Sequence, residues 1–183
     1  MRSPMYYRSH IEFRGYLREG AMNRRLPKLA ILLGLAGLIP FIVFGLAVMG
    51  AAPDRAGRWL GVLMAYGAVV LAFLGGVHWG FALDEAAPVA GASRTERVRL
   101  LLGLVSPLIA WLALVLVFVA PADVGLAVLI AGYIASAALE DQARRRGAMP
   151  SGYMWLRWAL SVVVVALLVT VLVLRLLGAR VIF

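Results

Sequence analysis

The chain alternates long apolar stretches with short polar connections. Apolar residues dominate from Leu29 to Ala51, Trp59 to Leu83, Leu100 to Ala120, about Val124 to Leu139 and about Trp158 to Leu177. A helix needs about 20 such residues, rising ~1.5 Å each, to cross a hydrocarbon core of about 30 Å. Every stretch but one meets that length directly; the one beginning at Val124 meets it if Pro121 and Ala122 belong to it. Strands are excluded, because apolar and polar residues do not alternate and an open sheet would leave amides unpaired in lipid. The pattern predicts an all-α integral membrane bundle of five transmembrane helices. Residues 1–27 read as a basic N-terminal arm and residues 28–183 as a single five-helix transmembrane domain.

Composition agrees. Of 183 residues, 63% are hydrophobic and 15% charged, and the mean hydropathy is +0.93, which rules out both a water-soluble globule and a disordered tail. The last span holds seven Leu and seven Val between Ala159 and Leu177, enough for about −4 to −8 kcal/mol of insertion energy, and Arg175 near its end can snorkel. The first span resembles a signal peptide in its basic flank, but its apolar core exceeds the usual ~7–15 residues and reads as a retained helix. No cysteine is present, so disulfides, thiolate metal sites and a cysteine nucleophile are excluded.

The net charge of +9 has a membrane explanation rather than a nucleic-acid one. Lys and Arg number seven in the arm up to Lys28, three from Asp84 to Arg99 and four from Glu140 to Arg157, against two from Ala52 to Arg58 and two at Arg175 and Arg180. Fourteen against four, over an odd number of spans, predicts the N-terminus inside and the C-terminus outside. Residues 1–21 are polar and aromatic, unlike the rest of the chain. They read either as an interfacial arm or as sequence upstream of a true start at Met22.

Polar residues within the spans are the candidates for chemistry. In the second span Ala68, Ala72, Gly76 and Gly80 recur every four residues, and Gly76 to Gly80 is a GxxxG, a face on which another backbone can approach closely. This predicts packing within the bundle, with a homodimer seam as the lesser option. His78 lies roughly 200° around the helix from Gly76 and about 7.5 Å from the inner end. Either this helix sits centrally with neighbours on two sides, or His78 points outward to the interface. An intramembrane histidine is either a satisfied bundle residue or a group that binds or relays a proton.

Ser106, Trp111, Asp141, Tyr153 and Arg157 project to the same depth, and with Tyr66, His78 and Trp79 they form the candidate polar cluster. Glu140 and Asp141 pair in sequence with Arg144 and Arg145 at i,i+4, an exposed arrangement worth only about 0.2–0.5 kcal/mol, so both read as a solvated helix end. The Tyr and Trp residues also suit the interface. The outer half offers only Trp59, Asp54 and Asp123. Gly34, Gly37 and Gly75 are further candidates for close helix packing. Pro40, at the middle of the first span, is expected to kink it and free the carbonyl of Ala36.

Several strings resemble, in order and spacing, the uncharacterised small membrane-protein family typified by transmembrane protein 69. They are Gly-Leu-Ala-Gly-Leu-Ile-Pro-Phe from Gly34 to Phe41, Tyr66-Gly67, Phe-Leu-Gly-Gly-Val-His-Trp-Gly from Phe73 to Gly80, Ser-Pro-Leu-Ile-Ala-Trp from Ser106 to Trp111, Asp141, and Tyr153 with Leu156-Arg157. The resemblance spans roughly Pro27 to Leu177. It implies a bacterial inner-membrane or mitochondrial location and brings no established activity, ligand or catalytic residue. At Ala159-Leu160-Ser161 the chain departs from the Leu-Thr that the family carries after the arginine.

The residues contain no phosphate loop, no Ser/His/Asp set and no paired intramembrane carboxylates. The reading is therefore a non-catalytic inner (cytoplasmic) membrane protein, multi-pass, without metal or cofactor, acting by contact as an assembly or accessory factor. Its partners would be the lipid bilayer and a membrane protein or a second copy, not nucleic acid. The alternative is a small proton or solute carrier using the His78 cluster, although five spans do not divide into repeats. Haem would require His78 with a Met ligand and ranks last.

Overall fold

The computed structural model describes residues 28–84, 94–145 and 151–181. They form six helices: α1 (Lys28–Ala36), α2 (Leu38–Gly50), α3 (Pro53–Asp84), α4 (Arg94–Val119), α5 (Ala122–Arg145) and α6 (Ser151–Val181). α1 and α2 together make the first span, interrupted at Gly37, so five spans result. Four are long and apolar enough to cross a bilayer, Ile31–Gly50, Pro53–Gly80, Ala122–Asp141 and Trp155–Gly178; the apolar part of α4, Gly103–Val119, is shorter. The fourth predicted span does begin at Ala122 and reaches full length. The start proposed at Met22 lies outside the described residues.

The helices close into a ring. α3 packs most extensively against α4, α4 against α5, α5 against α6, and α6 returns to α2, while α3 also touches α5 across the middle. α1 leans on α2 and α6. Each long helix turns one seam inward with alternating spacings of three and four: Gly103, Ser106, Ala110 and Ala113 on α4; Leu126, Leu129, Tyr133, Ser136 and Glu140 on α5; Arg157, Ser161, Val164, Leu168 and Val171 on α6. This is the spacing by which helices at shallow angles interlock side chains. Lipid tails are as apolar as leucine, so burying these residues gains little from water exclusion; shape and hydrogen bonds decide the packing.

Close approach depends on particular glycines. A Cβ on Gly75 would stand 2.8 Å from the Gly103 carbonyl oxygen and 2.9 Å from Ser106 Cβ, and one on Gly103 would meet the Trp79 ring at 2.0 Å. Pro107, inside α4, removes the amide that would otherwise bond that Gly103 carbonyl. Gly125 similarly lies on the Ala113 carbonyl, at 2.6 Å from an added Cβ, and Gly45 on Leu167 at 2.7 Å. Gly34 faces Leu160 at 3.0 Å. Ala68 is buried and Ala72 half-buried, but Gly76 and Gly80 are exposed, with open space where their Cβ atoms would stand. The predicted stripe therefore does not pack within the chain over its last two positions. The reason is angular: His78 faces inward, Gly75 lies about 60° from it on the same side, and Gly76 lies on the far side.

The first span is interrupted three residues before Pro40: Gly37 keeps helical dihedrals (φ −63°, ψ −17°) and its amide bonds the Leu33 carbonyl at 3.0 Å, while Pro40 has no amide to offer the Ala36 carbonyl. Pro40 then falls in the first turn of α2, where a missing amide hydrogen is tolerated. The carbonyl that gains a side-chain partner is that of Gly37, which accepts the Tyr66 hydroxyl at 2.9 Å.

Candidate functional site

Three helices place ionisable side chains at one point near one end of the bundle. His78 comes from α3, Glu140 from the last inward turn of α5, and Arg157 from the first inward turn of α6. They are 3%, 2% and 5% exposed. His78 Nε2 lies 3.1 Å from Glu140 Oε1. Arg157 grips the same carboxylate with both arms of a fork, Nε donating to Oε2 and Nη2 to Oε1, and Nη2 also donates to Ser136 Oγ at 3.1 Å. Because the paired carboxylate accepts, Nε2 of the imidazole is the donor of this contact. Among the described residues two buried side-chain polar atoms have no partner, His78 Nδ1 and Arg157 Nη1.

This overturns the sequence reading of Glu140 as a solvated helix end. Its i,i+4 spacing to Arg144 is genuine, but so is the inward seam that runs from Leu126 through Tyr133 and Ser136 to Glu140. In a bundle the seam decides, because the helix is already rotated by the larger number of packed residues before it. Ser136 and Glu140 were missed, and that unbroken three-four spacing was the signal for both.

The remaining candidates divide. Tyr66 and Tyr133 work as clips: Tyr66 bonds Gly37 as above, and Tyr133 donates to the Gly67 carbonyl at 2.8 Å. Both rings meet Phe41 edge-on, with centroids 5.0 and 6.3 Å away. Trp79 donates its indole N–H to the Leu100 carbonyl at 3.1 Å and occupies the room that Gly103 leaves. Ser106 is buried against Gly75. Asp141 is half-buried and lies about 100° around α5 from Glu140. Trp111 is 63% exposed, so it faces outward and is not brought to the cluster. The side chain of Tyr153 lies outside the described ones. At the opposite end Arg175 Nε donates to Asp123 Oδ1 at 2.6 Å, both side chains being partly exposed.

Beside the ion cluster lies a cavity of about 500 Å³. Its walls are α1, α2, α3 and α6 with Tyr133 of α5, and Arg157 is its charged member. α1 contributes Leu33 and Gly34 and α3 contributes Phe73 and Val77 among others, and among the described residues α1 makes no backbone approach to α3. Among the described residues no group of three or more His, Asp or Glu side chains is arranged to hold a metal ion.

The model of DUF3429, described as a protein of unknown function, matches residues 26–173 of this chain. Transmembrane protein 69 of Xenopus tropicalis is 43% identical over 88 residues, 48% of this chain and 33% of that protein. The mouse protein of the same name (Mus musculus) is 46% identical over 66 residues, covering 34% of this chain and 25% of its own length. The alignments thus span a third or less of those relatives. No solved structure matches the chain.

Proposed function

Because the chain belongs to DUF3429, a family of unknown function, we propose from its geometry that it is a non-catalytic membrane protein that acts by contact, as an assembly or accessory factor. One observation carries this reading: among the described residues the buried charges are confined to one end of the bundle, while the core beyond them is apolar packing. Leu60, Leu63, Met64, Leu126, Leu129, Leu168 and Val171 are all fully buried there. A carrier needs a polar path or an alternating one across the midplane, whereas this arrangement supports a rigid body with a lipid-facing surface. The Lys and Arg asymmetry orients it with the ion cluster toward the inner leaflet, N-terminus inside and C-terminus outside. The setting that suits this best is a bacterial inner membrane.

The outward Gly76 and Gly80 are the docking positions this reading favours. With no native cysteine, Gly76→Cys and Gly80→Cys are clean crosslinking handles. Crosslinking in native membranes is expected to capture a second membrane protein or a second copy; recovery of monomer alone removes the contact reading. The carrier alternative is favoured by a single observation, the unpartnered Nδ1 of buried His78 beside a carboxylate. A proteoliposome proton-flux assay in which His78→Ala behaves as the parent eliminates it.

A further inference from the structure

α6 turns one face to the cavity. Arg157, Leu160, Ser161 and Val164 all line it, at the i, i+3, i+4, i+7 spacing of a single helix face. Arg157 is committed to Glu140 through two arms, and its remaining nitrogen, Nη1, is closed off by the atoms around it. The polar group that this face offers to the cavity is therefore the hydroxyl of Ser161.

That hydroxyl is left without the partner its position would give it. Ser161 is 8% exposed and stands six residues inside the apolar span that starts at Trp155, a depth of about 9 Å at ~1.5 Å per residue. A hydroxyl on a helix in hydrocarbon commonly donates to the carbonyl four residues back. Thr170 of the same helix does so, bonding the Ala166 carbonyl at 2.8 Å. Ser161 makes no such bond to Arg157, and no other hydrogen bond among the described residues. It also differs from the two orphaned nitrogens of the ion cluster, because its oxygen is not sealed by neighbours. A buried hydroxyl left unbonded costs free energy, and the space beside this one is the cavity.

The occupant is constrained at its head and along its body. The charge of Arg157 is already matched by Glu140, so an anionic head would bring an uncompensated charge into a region away from water. Ser161 offers both a hydrogen and lone pairs, and a hydroxyl is the uncharged head that can use either. The walls around it are apolar, from Leu33 and Leu38 to Phe73, Leu74 and Val77. The volume of about 500 Å³ falls within the range of small-molecule sites. We propose that the cavity binds an uncharged lipophilic alcohol, its hydroxyl sharing a hydrogen bond with Ser161 Oγ and its apolar body lying against these walls. The site is separate from the outward Gly76 and Gly80, and its occupancy does not read docking there.

The test uses the full chain in phosphatidylcholine nanodiscs with three diazirine-bearing probes of one chain length: hexadecanol, hexadecanoic acid and hexadecane. Mapped labelling on α6 separates Leu160 and Val164, on the cavity face, from Val162 and Val163, which are 58% and 43% exposed on the outward face. The alcohol is expected to label the cavity face in preference to the outward face. It should do so about fivefold more than the hydrocarbon, the factor that one neutral hydrogen bond provides. Ser161→Ala removes the hydroxyl, breaks no hydrogen bond within the described residues and should keep the parent's elution profile. In that variant the alcohol's advantage should vanish while labelling by the hydrocarbon stays unchanged. Equal labelling of the cavity face by alcohol and hydrocarbon in the parent, a preference for the acid, or an alcohol advantage that survives in Ser161→Ala overturns the proposal.

Discussion

Removing one member of the Glu140–Arg157 pair costs more than the pair itself contributes, because the survivor is left charged and out of reach of water. Glu140→Gln is expected to destabilise the protein by about 3–5 kcal/mol, read as a shift in denaturant midpoint in detergent. The double variant Glu140→Leu with Arg157→Met should recover most or all of that loss, since well-packed apolar residues replace buried ion pairs at little cost. Asp123→Asn makes the contrast. Its pair with Arg175 is a little under a third exposed on each side, and its loss should cost no more than about 1 kcal/mol. The sequence pointed to His78 and Arg157 as polar residues at one depth of the bundle but concealed their common partner. Glu140 sits where a span ends, and at that position local charge spacing and long-range seam point in opposite directions.

Among the helices, two adjacent glycines of α3 separate packing from exposure. Gly75→Ala would drive a methyl group to 2.8 Å of the Gly103 carbonyl oxygen and 3.0 Å of Pro107 Cδ. Backbone cannot step aside cheaply, so about 1–3 kcal/mol of destabilisation is expected. Gly76→Ala, with nothing within 4 Å, should lie within about 0.5 kcal/mol of the parent in the same assay. The five spans were legible because bilayer thickness fixes their length and composition together. Which face of each helix turned inward was less legible. Ala68, Ala72, Gly76 and Gly80 keep a regular spacing, but a four-residue repeat drifts around a helix of 3.6 residues per turn, so its later members leave the seam that Ala68 belongs to. The interruption beside Gly37 was legible from Pro40, because a proline removes the amide that the carbonyl four residues earlier would accept from.

For the molecule as a whole, polarity is arranged by end. Reporter fusions at the two termini should place them on opposite sides, with the N-terminal reporter active inside; both on one side would contradict the charge bias. The ion cluster also draws its members from separate parts of the chain: Arg157 follows Glu140 by 17 residues, and Glu140 follows His78 by 62. At a synthesis rate of about 5–20 residues per second, the histidine emerges from the ribosome roughly 3–12 s before its acidic partner, and that partner about 1–3 s before the arginine. The imidazole can wait in lipid at modest expense; the acid cannot. Biogenesis should therefore hold the fourth span at the insertase until the fifth arrives and release the two once Glu140 and Arg157 have paired, and a message ending between them should yield a nascent product destined for membrane proteolysis.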